Sequence, residues 1–245
     1  RGLMGILRHS YTFIEQCYKQ KVRLWKSVAN EIWLFRALMP LGTADVFAEW
    51  DPQPLCTDAC LSGYAVMEGD HTSAELAAIG RQDERWRFKL DGGQRRAPRE
   101  IALEHADPLH DPNTVLPSVD GRVEQTLVSD RNFPEVPHSF MACERWKKVW
   151  NSRIWHQEPV HIIEARSVLG AVKHRCRDRR RHGKRILVLN DNMGVVLAIQ
   201  KGRCHNFNLM HIVRRISAHL LATGVRLAVR WVPSELNVAD EDSRR

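Results

Sequence analysis

Ile186-Leu187-Val188-Leu189 is an unbroken apolar run, set between Gly183 and the polar triplet Asn190-Asp191-Asn192. A strand that is apolar at every position must be covered on both faces, as a central strand of an α/β sheet is. The rest of the chain supplies neighbours for it. Val225, Leu227, Val229 and Trp231 alternate with Arg226, Ala228 and Arg230, the period of a half-buried strand with a basic outer side. Leu55-Cys56-Thr57 leads across Ser62-Gly63 into Tyr64-Ala65-Val66-Met67, which predicts a hairpin, and Trp146, Val149, Trp150, Ile154 and Trp155 predict a third strand. After Pro159, Ile162, Ala165, Leu169 and Val172 fall on one helical face. Leu209, Ile212, Val213, Ile216 and Leu220 define a further helix, which Gly224 ends in the left-handed conformation. Asn192 is placed to cap a helix after the central strand, and Asn237 to cap a short last helix containing Asp240. The order of three strands, helix, strand, helices, strand and helix predicts an α/β domain with a mixed sheet flanked by helices.

Two stretches lie outside that pattern. Leu3, Leu7, Tyr11, Ile14 and Tyr18, then Trp25, Val28, Ile32, Phe35 and Leu38, predict two amphipathic helices within residues 1–45. Two such helices enclose no core of their own, so they are expected to pack on the domain at 46–245 or on a domain upstream. The first residue is Arg, and the chain is read as a fragment of a longer protein or a truncated reading frame. Residues 69–145 hold six of the eleven prolines and the Gly92-Gly93 pair without clear periodicity, which predicts an irregular insertion, partly structured at best.

Thirty-seven Lys and Arg against 29 Asp and Glu leave a formal charge of +8, which attracts a polyanion by phosphate neutralisation. Composition alone leaves nucleic acid and a plainly solvated surface as equal readings. The charge is densest at Arg175, Arg177, Arg179, Arg180, Arg181, Lys184 and Arg185, a segment read as a nucleic-acid-binding surface, with a solvated loop as the alternative. Trp146, Trp150 and Trp155 are read as core residues rather than base-stacking platforms. Six cysteines fall without a Cys-x-x-Cys pair or finger-spaced histidines, so a zinc site is not expected and a reducing intracellular compartment is. His71, Cys204 and His205 are read as surface-loop residues. No stretch reaches the roughly 18 apolar residues of a membrane span.

Asp58 and Asp191 each follow an apolar strand, where acids of open α/β sheets face a ligand crevice, and Glu164 borders the apolar stripe of its helix. A carboxylate in that position needs a cation or a basic side chain beside it. Several carboxylates at one point repel one another but suit two divalent cations about 3.5–4 Å apart, the arrangement that cleaves phosphodiesters. Oxygen-only ligands favour Mg²⁺ or Mn²⁺. Taken singly, Asp58 and Asp240 are better explained as a turn residue and a helix cap than as ligands.

The residues around these acids resemble the ribonuclease H domain attached to reverse transcriptases. Leu55-Cys56-Thr57-Asp58-Ala59-Cys60 with Gly63-Tyr64-Ala65-Val66 is similar to the opening Thr-Asp-Ala-Ser-x-x-Gly-Trp-Gly motif of that family. Ile163-Glu164-Ala165-Arg166-Ser167-Val168-Leu169 resembles its helix with the second acid, and Asn190-Asp191-Asn192 its Thr-Asp-Asn. Trp231-Val232-Pro233-Ser234-Glu235-Leu236-Asn237-Val238-Ala239-Asp240 resembles the terminal motif of DIRS-like retroelements and hepadnavirus polymerases. The match covers 54–68 and 146–245, with a looser likeness over 1–45 to the segment joining polymerase to ribonuclease H. The chain departs from the family at Cys60, Tyr64, Asn190 and Asp242, and no His lies between Trp231 and Asp240.

The resemblance implies a five-stranded mixed sheet in which Asp58, Glu164, Asp191 and Asp240 bind two Mg²⁺ or Mn²⁺ ions. It implies an endoribonuclease cutting the RNA strand of RNA–DNA hybrids as part of a retroelement reverse transcriptase, whose polymerase domain lies outside this chain. The alternative is an inactive module of the same fold that binds nucleic acid or packs on a polymerase domain.

Overall fold

The computed structural model describes residues 2–18, 20–43, 45–90, 127–154, 157–204 and 206–244. Its main sheet is built from β1 (Leu55–Ala59), β2 (Gly63–Gly69), β5 (Trp146–Arg153), β6 (Arg185–Asn190) and β7 (Arg226–Trp231), while β3 (Phe88–Leu90) and β4 (Leu127–Ser129) form a separate antiparallel pair. The sheet order is β5-β2-β1-β6-β7, with β1–β2 and β2–β5 antiparallel and β1–β6 and β6–β7 parallel. This is the mixed five-stranded arrangement expected from the sequence, flanked by helices and consistent with a ribonuclease H-like fold. The helices are α1 (Arg8–Cys17), α2 (Lys26–Leu38), α3 (Ser73–Gly80), α4 (Val160–Arg177), α5 (Met193–Lys201), α6 (Phe207–Thr223) and α7 (Asp240–Ser243). None of the described helices is long and apolar enough to cross a membrane.

The apolar run of β6 is covered on both sides, as its composition requires. Ile186 and Val188 face a core made with α4, α5 and α6, including Ile162, Val168, Val172, Val195, Ile212 and Ile216. Leu187 and Leu189 face a second core containing Cys56, Ala65, Leu76, Ile79, Phe140, Met141 and Trp146. Gly224 follows α6 with φ of +66°, the left-handed conformation that a Cβ disfavours.

The second core corrects the expectation of an irregular insertion at both ends of 69–145. Thr72 and Glu75 form a reciprocal capping box that starts α3, and α3 buries Leu76 and Ile79 against the sheet. Val136, Phe140 and Met141 pack into the same layer. Hydrophobic spacing concealed this helix, because its eight residues show only two buried positions. Residues 84–134 form a unit of their own, holding β3, β4, the buried Glu84–Arg87 ion pair and the Arg87–Phe133 contact; residues 91–126 lie outside the described residues.

The predicted basic outer side of β7 is also corrected. Arg230 is 1% exposed and donates from Nη1 to the Ile79 carbonyl at 2.8 Å, beneath α3. The expected third strand is β5, with Trp146 buried and Trp150 packed against the α4 side; Trp155 lies outside the described residues.

At the other end of the chain, residues Gly2–Ile6 form a 3-10 turn, and the first α-helix starts only at Arg8. Glu31 of α2 accepts from the Ser10 amide at 2.8 Å and the His9 amide at 2.9 Å, capping the start of α1. Those bonds outweigh the effect of burial and hold the Glu31 carboxyl below its ordinary range. Arg214 of α6 donates to the Gly5 carbonyl at 2.7 Å, which ties this segment to the α/β domain.

Candidate metal centre

Thr57 of β1 pairs with Asn190 of β6 in the parallel ladder, so the two strand ends lie side by side. Asp58 follows Thr57 and Asp191 follows Asn190, which brings two acids to the same end of two neighbouring central strands. Glu164 is in the second turn of α4, whose apolar stripe is pressed against β1 and β2. One carboxylate oxygen from each of Asp58, Glu164 and Asp191 lies within 4.8 Å of the others. This group could hold a metal ion, and its all-oxygen donors fit a hard divalent cation.

Each acid is held by fixed donors. The Ala59 amide donates to Glu164 Oε1 at 3.2 Å and Asn190 Nδ2 to Oε2 at 2.9 Å. Asn237 Nδ2 donates to Asp58 Oδ1 at 2.8 Å. The Ser234 hydroxyl donates to Asp191 Oδ2 at 2.9 Å, while Trp231 Nε1 donates to the Asp191 carbonyl at 2.8 Å. The Trp231 bond carries the terminal Trp-Val-Pro-Ser segment back to the end of β6.

Burial sets the electrostatics. Glu164 is 4% exposed, and loss of solvent pushes its carboxyl up to about 8, with Asp191 and Asp58 adding repulsion and the Asn190 bond opposing it. Burial likewise raises Asp58 to about 6, with further repulsion from Asp191 and Asp240. Proton and divalent cation compete for such carboxylates, most strongly at Glu164, where the proton is held into the neutral range.

Asp240, the fourth acid expected from the sequence, is not within the three-acid group. It opens α7, and its Oδ1 accepts from Arg244 Nη2 at 2.7 Å and Nε at 3.0 Å. The residue before α7 is Ala239, so the expected cap by Asn237 is corrected. Asn237 instead turns its amide toward Asp58. Asn190 and Asn237 hold two of these carboxylates, and residue-type reasoning passed over both. The available signal was a polar residue at the buried end of an apolar strand and an Asn two residues before a backbone amide it can cap.

The basic segment is divided by the fold. Arg175 is 2% exposed, sits 2.8 Å from Glu68 and donates to the Gln53 carbonyl at 2.6 Å, with Asp51 at 3.8 Å. Arg181 pairs with Asp51 and Gln53, and Arg185 donates to the Val46 carbonyl at 2.6 Å beside the Trp50 ring. Arg177, Arg179 and Arg180 are exposed, the last paired with Asp178, and Lys184 is half-buried. Arg185 starts β6 and Asp191 follows its end, six residues on, so at about 3.3 Å per residue the segment lies roughly 20 Å from the acids, at the opposite sheet end.

His71 is buried, not a surface-loop residue. It stacks on Phe140 at 3.8 Å, and burial with nearby Arg145 pushes its imidazole down to about 4. Cys204 is half-buried, and His205 lies outside the described residues.

No protein-family model and no curated protein matches the chain. Among solved structures it is similar to a foamy viral protease-reverse transcriptase in complex with RNA/DNA hybrid, at 12% identity and a TM-score of 0.26. The likeness covers 97% of this chain, which spans 45% of that one. At this level it fixes neither fold nor activity, and the functional reading rests on the carboxylates.

Proposed function

We propose that this chain is a metal-dependent endoribonuclease that cleaves the RNA strand of RNA–DNA hybrids, as the ribonuclease H part of a retroelement reverse transcriptase. The observation that carries the reading is the convergence of Asp58, Glu164 and Asp191 from two adjacent strand ends and a covering helix. Two Mg²⁺ or Mn²⁺ ions there would activate water and stabilise the leaving oxygen, giving a 3′-hydroxyl and a 5′-phosphate. The chain's own contribution is to hold three carboxylates in place, shield them from bulk water and supply the donors from Ala59, Asn190, Asn237 and Ser234. Asp240 joins as the fourth acid by leaving Arg244.

The exposed cations Arg177, Arg179 and Arg180, with Lys184, are proposed to contact the duplex backbone away from the cut. At about 3.4 Å between phosphates along a strand, roughly 20 Å corresponds to about six base pairs. Such contacts suit a hybrid, which is read through its backbone and 2′-hydroxyls.

The second reading is an inactive module that binds nucleic acid or packs on a polymerase domain, and the Asp240–Arg244 pairing favours it. Incubating the protein with a labelled hybrid and Mg²⁺ or Mn²⁺ separates the two. Asp191→Asn should lower cleavage by at least a hundredfold while circular dichroism and hybrid binding stay close to the parent, because one ligand oxygen and its charge are removed at constant volume. Full cleavage by the folded variant would remove Asp191 from the centre.

A further inference from the structure

Asn190 and Asn237 share a geometry that the three acids do not explain. In each, the side-chain oxygen accepts from a backbone N–H two residues ahead: Asn192 N at 3.0 Å for Asn190, and Ala239 N at 3.1 Å for Asn237. A backbone amide can only donate, so each bond fixes which end of the side-chain amide is oxygen. The NH₂ group must then face the other way. In Asn190 it meets Glu164 Oε2 at 2.9 Å and Thr57 Oγ1 at 3.1 Å. In Asn237 it meets Asp58 Oδ1 at 2.8 Å, and the Cys56 thiol donates to Asn237 Oδ1 at 3.0 Å, securing the same orientation. Both amides are buried, at 0% and 6% exposure, so neither can exchange these bonds for water.

We propose that Asn190 and Asn237 are positioning residues that lock the carboxylates of Glu164 and Asp58 for metal binding, each amide being held by its own Asx turn. The inference rests on the metal-centre reading. The Asn237 bond to Asp58 Oδ1 fixes the orientation of that carboxylate within the three-acid group. With Glu164 gripped on one oxygen by Ala59 and on the other by Asn190, its rotamer is set before any ion arrives. Partners of this kind, one bond removed from a metal, typically change affinity by about 10–100-fold when removed.

The role is separable from turn building. Serine can accept the same i+2 amide through its hydroxyl, but it is too short to reach the carboxylate and adds no charge. The test is a titration of Mn²⁺ against metal-free protein, following free Mn²⁺ by electron paramagnetic resonance, for the parent, Asn237→Ser and Asn190→Ser. Melting in chelator and the KM for hybrid are measured alongside. The expected result is a 10–100-fold higher Mn²⁺ concentration at half-saturation in folded Asn237→Ser, with hybrid KM unchanged and kcat restored by excess Mn²⁺. Asn190→Ser should behave the same way, and it carries the test if Asn237→Ser does not fold. Unchanged Mn²⁺ affinity in a folded variant overturns the proposal while leaving the metal centre standing. Unfolding of both variants also overturns it, since the amides would then serve the fold. A parent protein that takes up no Mn²⁺ removes the metal-centre reading itself, and this inference with it.

Discussion

Asp240 and Asp242 stand one residue apart in α7 and meet different cations: Asp240 pairs with Arg244 at 2.7 Å and Asp242 with Lys148 of β5 at 3.0 Å. Two residues along a helix turn a side chain by about 200°, so the two cannot serve one site. Asp240 is the one whose charge acts on Asp58. Asp240→Asn is therefore expected to raise several-fold the Mg²⁺ concentration for half-maximal hybrid cleavage, with Asp242→Asn moving it less than twofold. Breaking the Lys148 ion pair should cost under about 1 kcal/mol, as for partly exposed pairs generally. The reverse ranking would assign the fourth position to Asp242, and no effect from either would leave a three-acid centre. The motifs around Asp58, Glu164 and Asp191, more than the residue types alone, marked these three acids, which the fold brings together. Residue types were insufficient for Asn237, because a capping Asn and a carboxylate-orienting Asn look identical until the partner atoms are known.

The arginine-rich segment shows how an element divides residues that composition groups together. Arg175 lies in the last turn of α4, and the helix turns it inward to Glu68 and Asp51, whereas Arg179 and Arg180 follow the helix and face water. Arg175→Met should lower stability by about 3 kcal/mol, since removing one partner strands buried carboxylates, and the urea midpoint should fall accordingly. A loss below about 1 kcal/mol would show that Arg181 compensates at Asp51. Neutralising Arg179 and Arg180 together should leave that midpoint nearly unchanged. It should instead reduce the log–log salt slope of hybrid binding by about 0.9 for each phosphate left without its cation, taking duplex DNA as the guide. An unaltered slope returns these two residues to a solvated loop.

Across the molecule the buried acids and the histidines impose opposite pH trends on metal-free stability. His71 is pushed down to about 4, and burial also lowers His174 and His219, so their contributions grow as pH rises toward the ordinary histidine value near 6.5. Glu164, raised to about 8, contributes stability that is complete below the ordinary carboxylate range and is lost as pH climbs through its folded value. Between about pH 6.5 and 8 the histidine gains are over and the Glu164 loss continues. The melting temperature in chelator should fall by a few degrees across that window, at up to about 1.4 kcal/mol per pH unit. Saturating Mn²⁺ should remove the fall, because the ion takes the place of the proton. A Mn²⁺-induced shift no larger at pH 8 than at pH 6.5 would mean that the ion does not bind at Glu164.

The sequence by itself determined the sheet and two of its neighbouring helices. Ile186–Leu189 can only be a doubly covered strand, and α4 and α6 carry apolar spacings long enough to read. These patterns depend on periodicity within one segment, which survives in one dimension. Tertiary structure alone decided what covers the second face, since α3 and Val136–Met141 show their apolar character only against the sheet. It also decided that Arg230 is buried beneath α3, that Asp242 meets Lys148 of β5, and that Asn237 lies against Asp58 across 179 residues of chain. A hydrogen bond is satisfied by whichever group arrives within reach, and that depends on how separate segments pack rather than on the order of residues within any one of them.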